Sequence, residues 1–402
     1  MKGWVTLDNK TVLLGVTGGI AIYKAVNITS MLRKMNYNVQ VVMTKNASEF
    51  VTPLTFETMS GNSCVVDQFE LTKNFEVEHV ALAKKADLLL IAPATANIIA
   101  KLAHGIADDA LTTQALACRC PKIIAPAMNT AMYENPITQD NIEILRKYGF
   151  IVIPPATGML ACKDTGIGKL PDEETIITYV ERELSREKDY IGKKVLVTAG
   201  ATQESIDPVR YITNHSTGTM GYALAHEFLL RGAEVTLVTA PTSIKPPMFV
   251  KVVDVVSALD MYTAVIANSQ NTDIIVKAAA VADYTPETTA ENKIKKSDED
   301  LSFKVKRTKD ILAYLGEHKT KSQFLCGFSM ETENLVENSK KKLVNKNLDM
   351  IVANNLKTAG AGFGTDTNAV TIISAISAEE LPLMSKEKVA KEIADRIIKR
   401  IK

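Results

Sequence analysis

Three residues in the first half of this 402-residue chain have types and settings that suit proton transfer and carboxylate binding. His79 opens an amphipathic stretch that leads to the apolar run after Asp87. A helix starting there would set the imidazole at its positive end, keeping it neutral and able to take a proton. Cys162 lies in a loop bounded by Gly158 and by Gly166 and Gly168, just after Pro154 and Pro155. Such a loop can fold over a site and bring a thiol to deliver a proton inside a closed cavity. Asn129 follows the apolar run 122–125, where a strand should end and a carboxamide can donate to a carboxylate. Taken singly, each has a plainer reading. A lone histidine is far more often a surface or core residue, and a polar residue after a strand is usually a turn residue.

The elements that must carry these residues are legible as repeated strand–turn–helix units. Residues 10–44 run from an apolar strand through Gly18 and Gly19 into a helix and a second strand. Residues 194–239 repeat the plan, with a longer insert ending in NHSTGTMG. Each is a βαβ start. Further buried strands follow Asp87, Lys122 and Phe150, with amphipathic stretches at 98–102 and 141–148 between them. In the second half strands begin near Asp273, Ser322, Asp349 and Ala369, a helix covers 386–402, and 285–307 reads as a polar loop entering a short strand. Alternating strands and helices imply two α/β, Rossmann-like domains, each a mainly parallel sheet with helices on both faces. The charged stretch 181–193 lacks a core-forming face, so the domains are expected at 1–190 and 191–402.

Composition narrows the function. Hydrophobic residues make up 46% of the chain and charged residues 23%, as in globular proteins. Lys and Arg total 47 against 46 Asp and Glu, a balance that argues against a general nucleic-acid binder. No apolar run reaches membrane-spanning length, and residues 1–10 lack a signal-peptide core. The five scattered cysteines form neither a disulfide framework nor a zinc spacing, so a cytoplasmic location with reduced thiols is expected. Cys64, Cys118, Cys120 and Cys326 read as packing residues. The glycine turns either cradle a phosphate or merely close βα connections. Thr44 and Thr239 stand where a dinucleotide site usually has Asp or Glu, which opposes a nicotinamide-dependent oxidoreductase.

Several segments of the first half converge on one family. GVTGGIAIYKA (15–25), the long run 77–113 containing Pro93-Ala94-Thr95-Ala-Asn97, APAMN (125–129) and GMLACKDTGIGKL (158–170) together resemble the flavin-containing cysteine decarboxylases. Within them the likeness is to the phosphopantothenoylcysteine decarboxylases, over nearly all of 10–180. The resemblance implies FMN, held by Gly18, Gly19, Thr44, Pro93, Ala94, Thr95 and Asn97. It implies oxidation at the cysteinyl thiol, loss of CO2 from a thioaldehyde and return of the hydride. His79 is then the base, Asn129 binds the departing carboxylate and Cys162 donates the final proton. Lys163, Lys169 and Leu170 depart from the family's usual Gly, Arg and Met around the flap. Lysine can replace arginine as a phosphate cation but not as a bidentate fork. Flavin-binding regulatory relatives lose the reactive residues, and decarboxylases of peptidyl cysteine lack a second half. Both readings fit this chain less well.

The second half resembles the phosphopantothenate–cysteine ligase domain that bacteria fuse to that decarboxylase. The likeness rests on TAGATQESIDPVRYITNHSTGTMGYALA (198–225), KAAAVADYTP (277–286), NKIKK (292–296), GFSMET (327–332), KKLVNKNLD (341–349) and VANN (352–355). Ala201 and Thr217 are near-isosteric departures. A ligase that activates a carboxylate with a nucleotide must neutralise a triphosphate and hold Mg2+. Lys293, Lys342 and Lys346 could converge on one anion, the last two sharing a face if their stretch is helical. The run 340–342 alone reads better as a solvated face. Asp283 can hold ribose hydroxyls or order a metal shell, Phe328 can flank a base or pack, and Asn214 could steady an oxyanion. The resemblance adds Ala279 to the nucleotide contacts and implies CTP, an acyl-cytidylate, and 4′-phosphopantothenate and L-cysteine as co-substrates. It also implies a homo-oligomer, with trimeric flavin domains and dimeric ligase domains.

Overall fold

The computed structural model describes residues 10–67, 78–159, 165–295, 302–331, 334–355, 362 and 364–401. It divides into two compact units, Met1–Arg186 and Glu187–Lys402. The break precedes the expected one because Tyr190 belongs to the second core. Its ring is fully buried, meets Phe228 edge-on at 5.2 Å, and its hydroxyl donates to the carbonyl of Ala394 at 2.6 Å.

In the first unit the chain runs β1 (Thr11–Val16), α1 (Ile22–Lys34), β2 (Asn38–Met43), α2 (Lys45–Ser48), α3 (Pro53–Ser60), β3 (Cys64–Val65), α4 (Glu78–Lys85), β4 (Leu88–Ala94) and α5 (Ala96–Ala103). It continues through α6 (Ala110–Ala117), β5 (Lys122–Pro126), α7 (Thr130–Glu134), α8 (Pro136–Lys147), β6 (Phe150–Val152), the hairpin β7 (Ala156–Met159) and β8 (Thr165–Lys169), and α9 (Glu173–Leu184). Six strands form a parallel sheet in the order β3-β2-β1-β4-β5-β6. The apolar strands need partners on both faces, and alternation supplies them. Val12, Leu14 and Val16 pack under α1, α3 and α9, while Leu13 packs under α5, α6 and α8.

The second unit comprises β9 (Lys194–Ala199), β10 (Gln203–Ser205), β11 (Tyr211–Thr213), α10 (Thr219–Leu230), β12 (Glu234–Thr239), β13 (Lys251–Asp254), α11 (Ala258–Ser269), β14 (Ile274–Lys277), β15 (Tyr284–Pro286) and β16 (Val305–Arg307). Then come α12 (Ile311–His318), β17 (Phe324–Glu331), α13 (Leu335–Asn345), β18 (Met350–Asn355), β19 (Thr367–Asn368), β20 (Val370–Ile373), β21 (Ala378–Glu380), β22 (Met384–Ser385) and α14 (Lys386–Ile401). Its eight-stranded sheet has the order β13-β12-β9-β14-β17-β18-β20-β21, parallel up to β18 and antiparallel beyond. Val195, Val197 and Ala199 face α10 and α14, and Leu196 faces α11 and α12. The long insert of the second βαβ start folds as the hairpin β10–β11. The two ends of the expected polar loop pair as the hairpin β15–β16.

In both sheets the chain leaves the central strand first to one side and then to the other. β1 therefore lies beside β4, and β9 beside β14, with helix connections turning away from the gap. Such switch points leave a crevice at the carboxyl ends of the strands.

Arg231 ties the second unit together. It is 6% exposed, donates to Asp189 and, at 2.6 Å, to Asp395, and stacks over Tyr190 at 4.9 Å. Truncating one partner of a buried pair strands the other charge. Arg231→Ala should therefore lower unfolding stability by about 3–5 kcal/mol in urea melts followed by circular dichroism. A loss below about 1 kcal/mol would mean that the network is dispensable.

Candidate active sites at the strand ends

A cavity of about 1020 Å³ opens at the carboxyl ends of β1, β2, β4 and β5. Gly18, Gly19, Thr44, Pro93, Thr95, Asn97 and Asn129 all line it, although they come from four separate turns. Thr17 joins two of these turns, its hydroxyl donating to the Pro93 carbonyl at 2.7 Å and accepting from the Thr95 amide at 3.2 Å. Thr44 and Thr95 each cap the following helix, accepting from Ala47 and Ile98. A hydroxyl that accepts in a cap keeps its O–H, so both can still donate towards the cavity. The two glycines differ. A Cβ at Gly18 would stand 2.7 Å from Cβ of Asn46, whereas one at Gly19 would meet only Thr95 at 3.8 Å.

Asn129 accepts from the Ala131 amide at 2.9 Å through Oδ1, capping α7 and fixing the side chain at the rim. The arm β8 is stapled to the same turn: the Met128 amide donates to the Gly168 carbonyl at 3.0 Å. A Cβ at Gly168 would come within 2.4 Å of the Met128 carbonyl, so only glycine permits this approach. His79 is the second residue of α4, at the helix start as expected, but its side chain lies outside the described residues. Cys162 lies outside them as well. Ala94 does not reach the cavity. β4 extends through it, its side chain is buried among Leu89, Ile91 and Ile98, and its carbonyl accepts from Ala127.

The residues alone did not point to an acidic and basic group on the cavity wall. Lys101 pairs with Asp108 at 2.7 Å and Asp109 at 3.0 Å. Burial works against the Asp109 carboxylate, yet bonds from Thr112 and Lys101 hold it below its ordinary range. The capping motif D-x-x-T before α6 was the available signal.

In the second unit the expected nucleotide contacts divide between the two faces of the sheet end. Lys346 ends α13 and pairs with Asp310, the cap of α12, at 2.7 Å. Lys277 ends β14 beside them, with Nζ donating to the Ala279 carbonyl at 3.1 Å. Desolvation first, then the Lys346 charge, pushes its ammonium down to about 8, while Asp310 and Asp283 oppose this. Lys342, in the last turn of α13, acts on the same group. Lys277 and Asp310 were missed, although a lysine closing an apolar strand was visible. Lys293 is exposed and makes no described contact with this cluster. Its neighbour Ile294 is tied to Asp207 and Arg210 instead.

Ala279 and Phe328 line a smaller cavity, about 130 Å³, between the start of α10 and the ends of β14, β17 and β18. Phe328 also packs against the core under α10. Asn214 donates to the Ala280 carbonyl on the same loop at 3.5 Å. Among the described residues no group of three or more His, Cys, Asp and Glu is placed to hold a metal by itself.

Known proteins align with both units. The Flavoprotein family matches residues 5–185, and the DNA/pantothenate metabolism flavoprotein C-terminal domain matches 190–401. The coenzyme A biosynthesis bifunctional protein CoaBC of Bacillus subtilis is 47% identical over 395 residues, 97% of each chain. Its namesake from Borreliella burgdorferi is 45% identical over 96% of this chain and 98% of its own. That of Escherichia coli is 39% identical over 98% of both. Matches that run through both sheets and both strand-end sites establish that this chain belongs to the family of coenzyme A biosynthesis bifunctional proteins.

Proposed function

We propose that the second unit joins L-cysteine to 4′-phosphopantothenate with CTP, and that the first unit decarboxylates the product to 4′-phosphopantetheine. The observation that carries the first half of this reading is the convergence of Gly18, Thr44, Thr95, Asn97 and Asn129 on one cavity. The cradle suits FMN: backbone approaches too closely at Gly18 for a side chain, two threonine hydroxyls retain donors, and the volume exceeds that of one small ligand. When bound, FMN would supply two-electron oxidation of the substrate and its later reversal. Asn129 would hold the carboxylate that leaves as CO2, and neutral His79 would take the thiol proton. Cys162, on the segment joining β7 and β8, would return a proton to carbon at the end.

For the ligase, Lys342, Lys346 and Lys277 would neutralise the triphosphate, with Lys293 joining them by family resemblance. Asp283 and Asp310, whose charges both act on Lys277, would share Mg2+ with phosphate oxygens, a role that suits a cation that keeps several waters. The acid would be activated as an acyl-cytidylate, with Asn214 donating to the oxyanion under amine attack. Sharing one chain raises the local concentration of the intermediate for the second step. We further propose homo-oligomeric assembly, trimeric through flavin domains and dimeric through ligase domains, and a cytoplasmic location. Among the described residues no helix is long and apolar enough to cross a membrane.

Mass spectrometry of the purified chain given 4′-phosphopantothenate, cysteine, Mg2+ and CTP tests the whole reading. It predicts 4′-phosphopantetheine, and no ligated species when CTP is omitted. Absence of any product would refute it. Cys162→Ser should retain flavin and release CO2 but fail to complete the reduction; full turnover would remove Cys162 from its role. Asn214→Ala should accumulate the activated acid and slow ligation by roughly a hundredfold, and an undiminished yield would refute the assignment. Lys277 is charged below about 8 and loses its proton as pH rises through that value, whereas the unfolded group stays charged to 10.5. The KM for CTP should therefore climb above about pH 8 in the wild type. It should be high and flat with pH in Lys277→Met, and an unchanged alkaline limb in that variant would assign the titration elsewhere.

A further inference from the structure

The smaller cavity of the second unit has features that a nucleotide does not explain. Lys386, the first residue of α14, lines it with 5% exposure, and its Nζ donates only to the Gly362 carbonyl, at 3.4 Å, among the described residues. No carboxylate is among the described residues that line the cavity; the Asp366 and Glu387 charges act on the ammonium from nearby, and burial outweighs them. Asn368, 3% exposed, donates through Nδ2 to Asn354 at 3.1 Å and leaves Oδ1 buried with no partner. The third feature is the start of α10, a twelve-residue helix whose cap Gly218 has φ +81° and offers no side-chain cap. Its first amides therefore remain available on the cavity wall.

These three groups ask for different things. A buried cation and free helix amides ask for a negative group, whereas an orphaned carbonyl oxygen asks for an N–H or O–H donor. A bare anion satisfies the first two and leaves the third unmet. A zwitterionic amino acid satisfies all three. The cavity is compact, about 130 Å³. Met220, Phe328 and Met330 add an apolar and sulfur-bearing wall suited to a short thiol side chain.

We propose that this cavity is the subsite for the amino acid substrate, holding its α-carboxylate on Lys386 and the α10 amides and its amine on Asn368. The assignment rests on the ligase reading and specifies where its third substrate enters. It also gives the two faces of the sheet end separate tasks. The cluster of Lys277, Asp310 and Lys346 lies on the side of α12 and α13, while the cavity lies on the side of α10. Between them runs the loop whose Ala280 carbonyl receives the Asn214 carboxamide and also borders the cavity. Lys386 and Asn368 position the amine and take no part in bond making.

The test uses the full-length enzyme and two readouts. Exchange of labelled pyrophosphate into CTP with 4′-phosphopantothenate, without amino acid, reports activation alone; steady-state ligation reports entry of the amine. For the wild type, cysteamine and cysteine methyl ester, which lack the carboxylate, should have kcat/KM at least about tenfold below cysteine. If either matches cysteine, the carboxylate is not held and the proposal falls, whatever the variants do. Lys386→Met should raise the KM for cysteine about tenfold or more and erase most of its advantage over cysteamine, with exchange within about twofold of wild type. Asn368→Leu should raise the KM for cysteine and cysteamine alike. A rise in the KM for 4′-phosphopantothenate instead, with cysteine unaffected, would show a bare-anion site and overturn the assignment. Absence of exchange in the wild type would instead condemn the ligase reading itself.

Discussion

A parallel sheet covered by helices on both faces has no open surface left except at the ends of its strands. That constraint organises this protein. β1 and β9 are buried by alternate residues on both sides, so their apolar side chains are committed to packing. Polar side chains that can meet a ligand gather where strands give way to turns: Thr17, Thr44, Thr95 and Asn129 in one unit, Lys277 and Asn354 in the other. Backbone and hydroxyl bonds tie the turns to one another and to the helices they open. A ligand therefore meets a formed cradle, which lowers the ordering cost of binding.

Buried cations in the second unit show how the same chemistry serves structure or function according to its partners. Arg231 is surrounded by carboxylates and an aromatic face, and its planar fork is satisfied inside the protein. Lys277 and Lys386 sit at the sheet end with carbonyls as hydrogen-bond acceptors, and both ammonium groups are pushed down by desolvation. A charge kept in that state is compensated once an anion arrives. The ion pair of Lys346 with Asp310 is intermediate: its members are partly exposed and lie where a triphosphate and Mg2+ could exchange partners with them.

The sequence carried the architecture well because strand alternation and glycine turns are local signals. Gly18, Thr44, Thr95, Asn97 and Asn129 meet at one cavity, since strand ends in an open α/β sheet converge by topology. At Ala94 β4 continues past Pro93, which turns that side chain inward. Lys293 is grouped with Lys342 and Lys346 by charge and by family resemblance, neither of which gives distances. The cavity at Lys386 and Asn368 was illegible for a different reason. Burial of a lysine at a helix start and of an asparagine in a two-residue strand arises only when segments about 150 residues apart pack together. The hairpins β7–β8, β10–β11 and β15–β16 were likewise hidden, being short and polar.

The central claim is that each unit carries its own strand-end site. The most direct measurement is the product distribution of full-length Asn129→Ala given 4′-phosphopantothenate, cysteine, Mg2+ and CTP. The account predicts phosphopantothenoylcysteine forming at the wild-type rate and accumulating, with 4′-phosphopantetheine slowed by about a hundredfold. Ligation falling in step with decarboxylation would contradict it, because a residue of the first unit would then be needed for the chemistry assigned to the second.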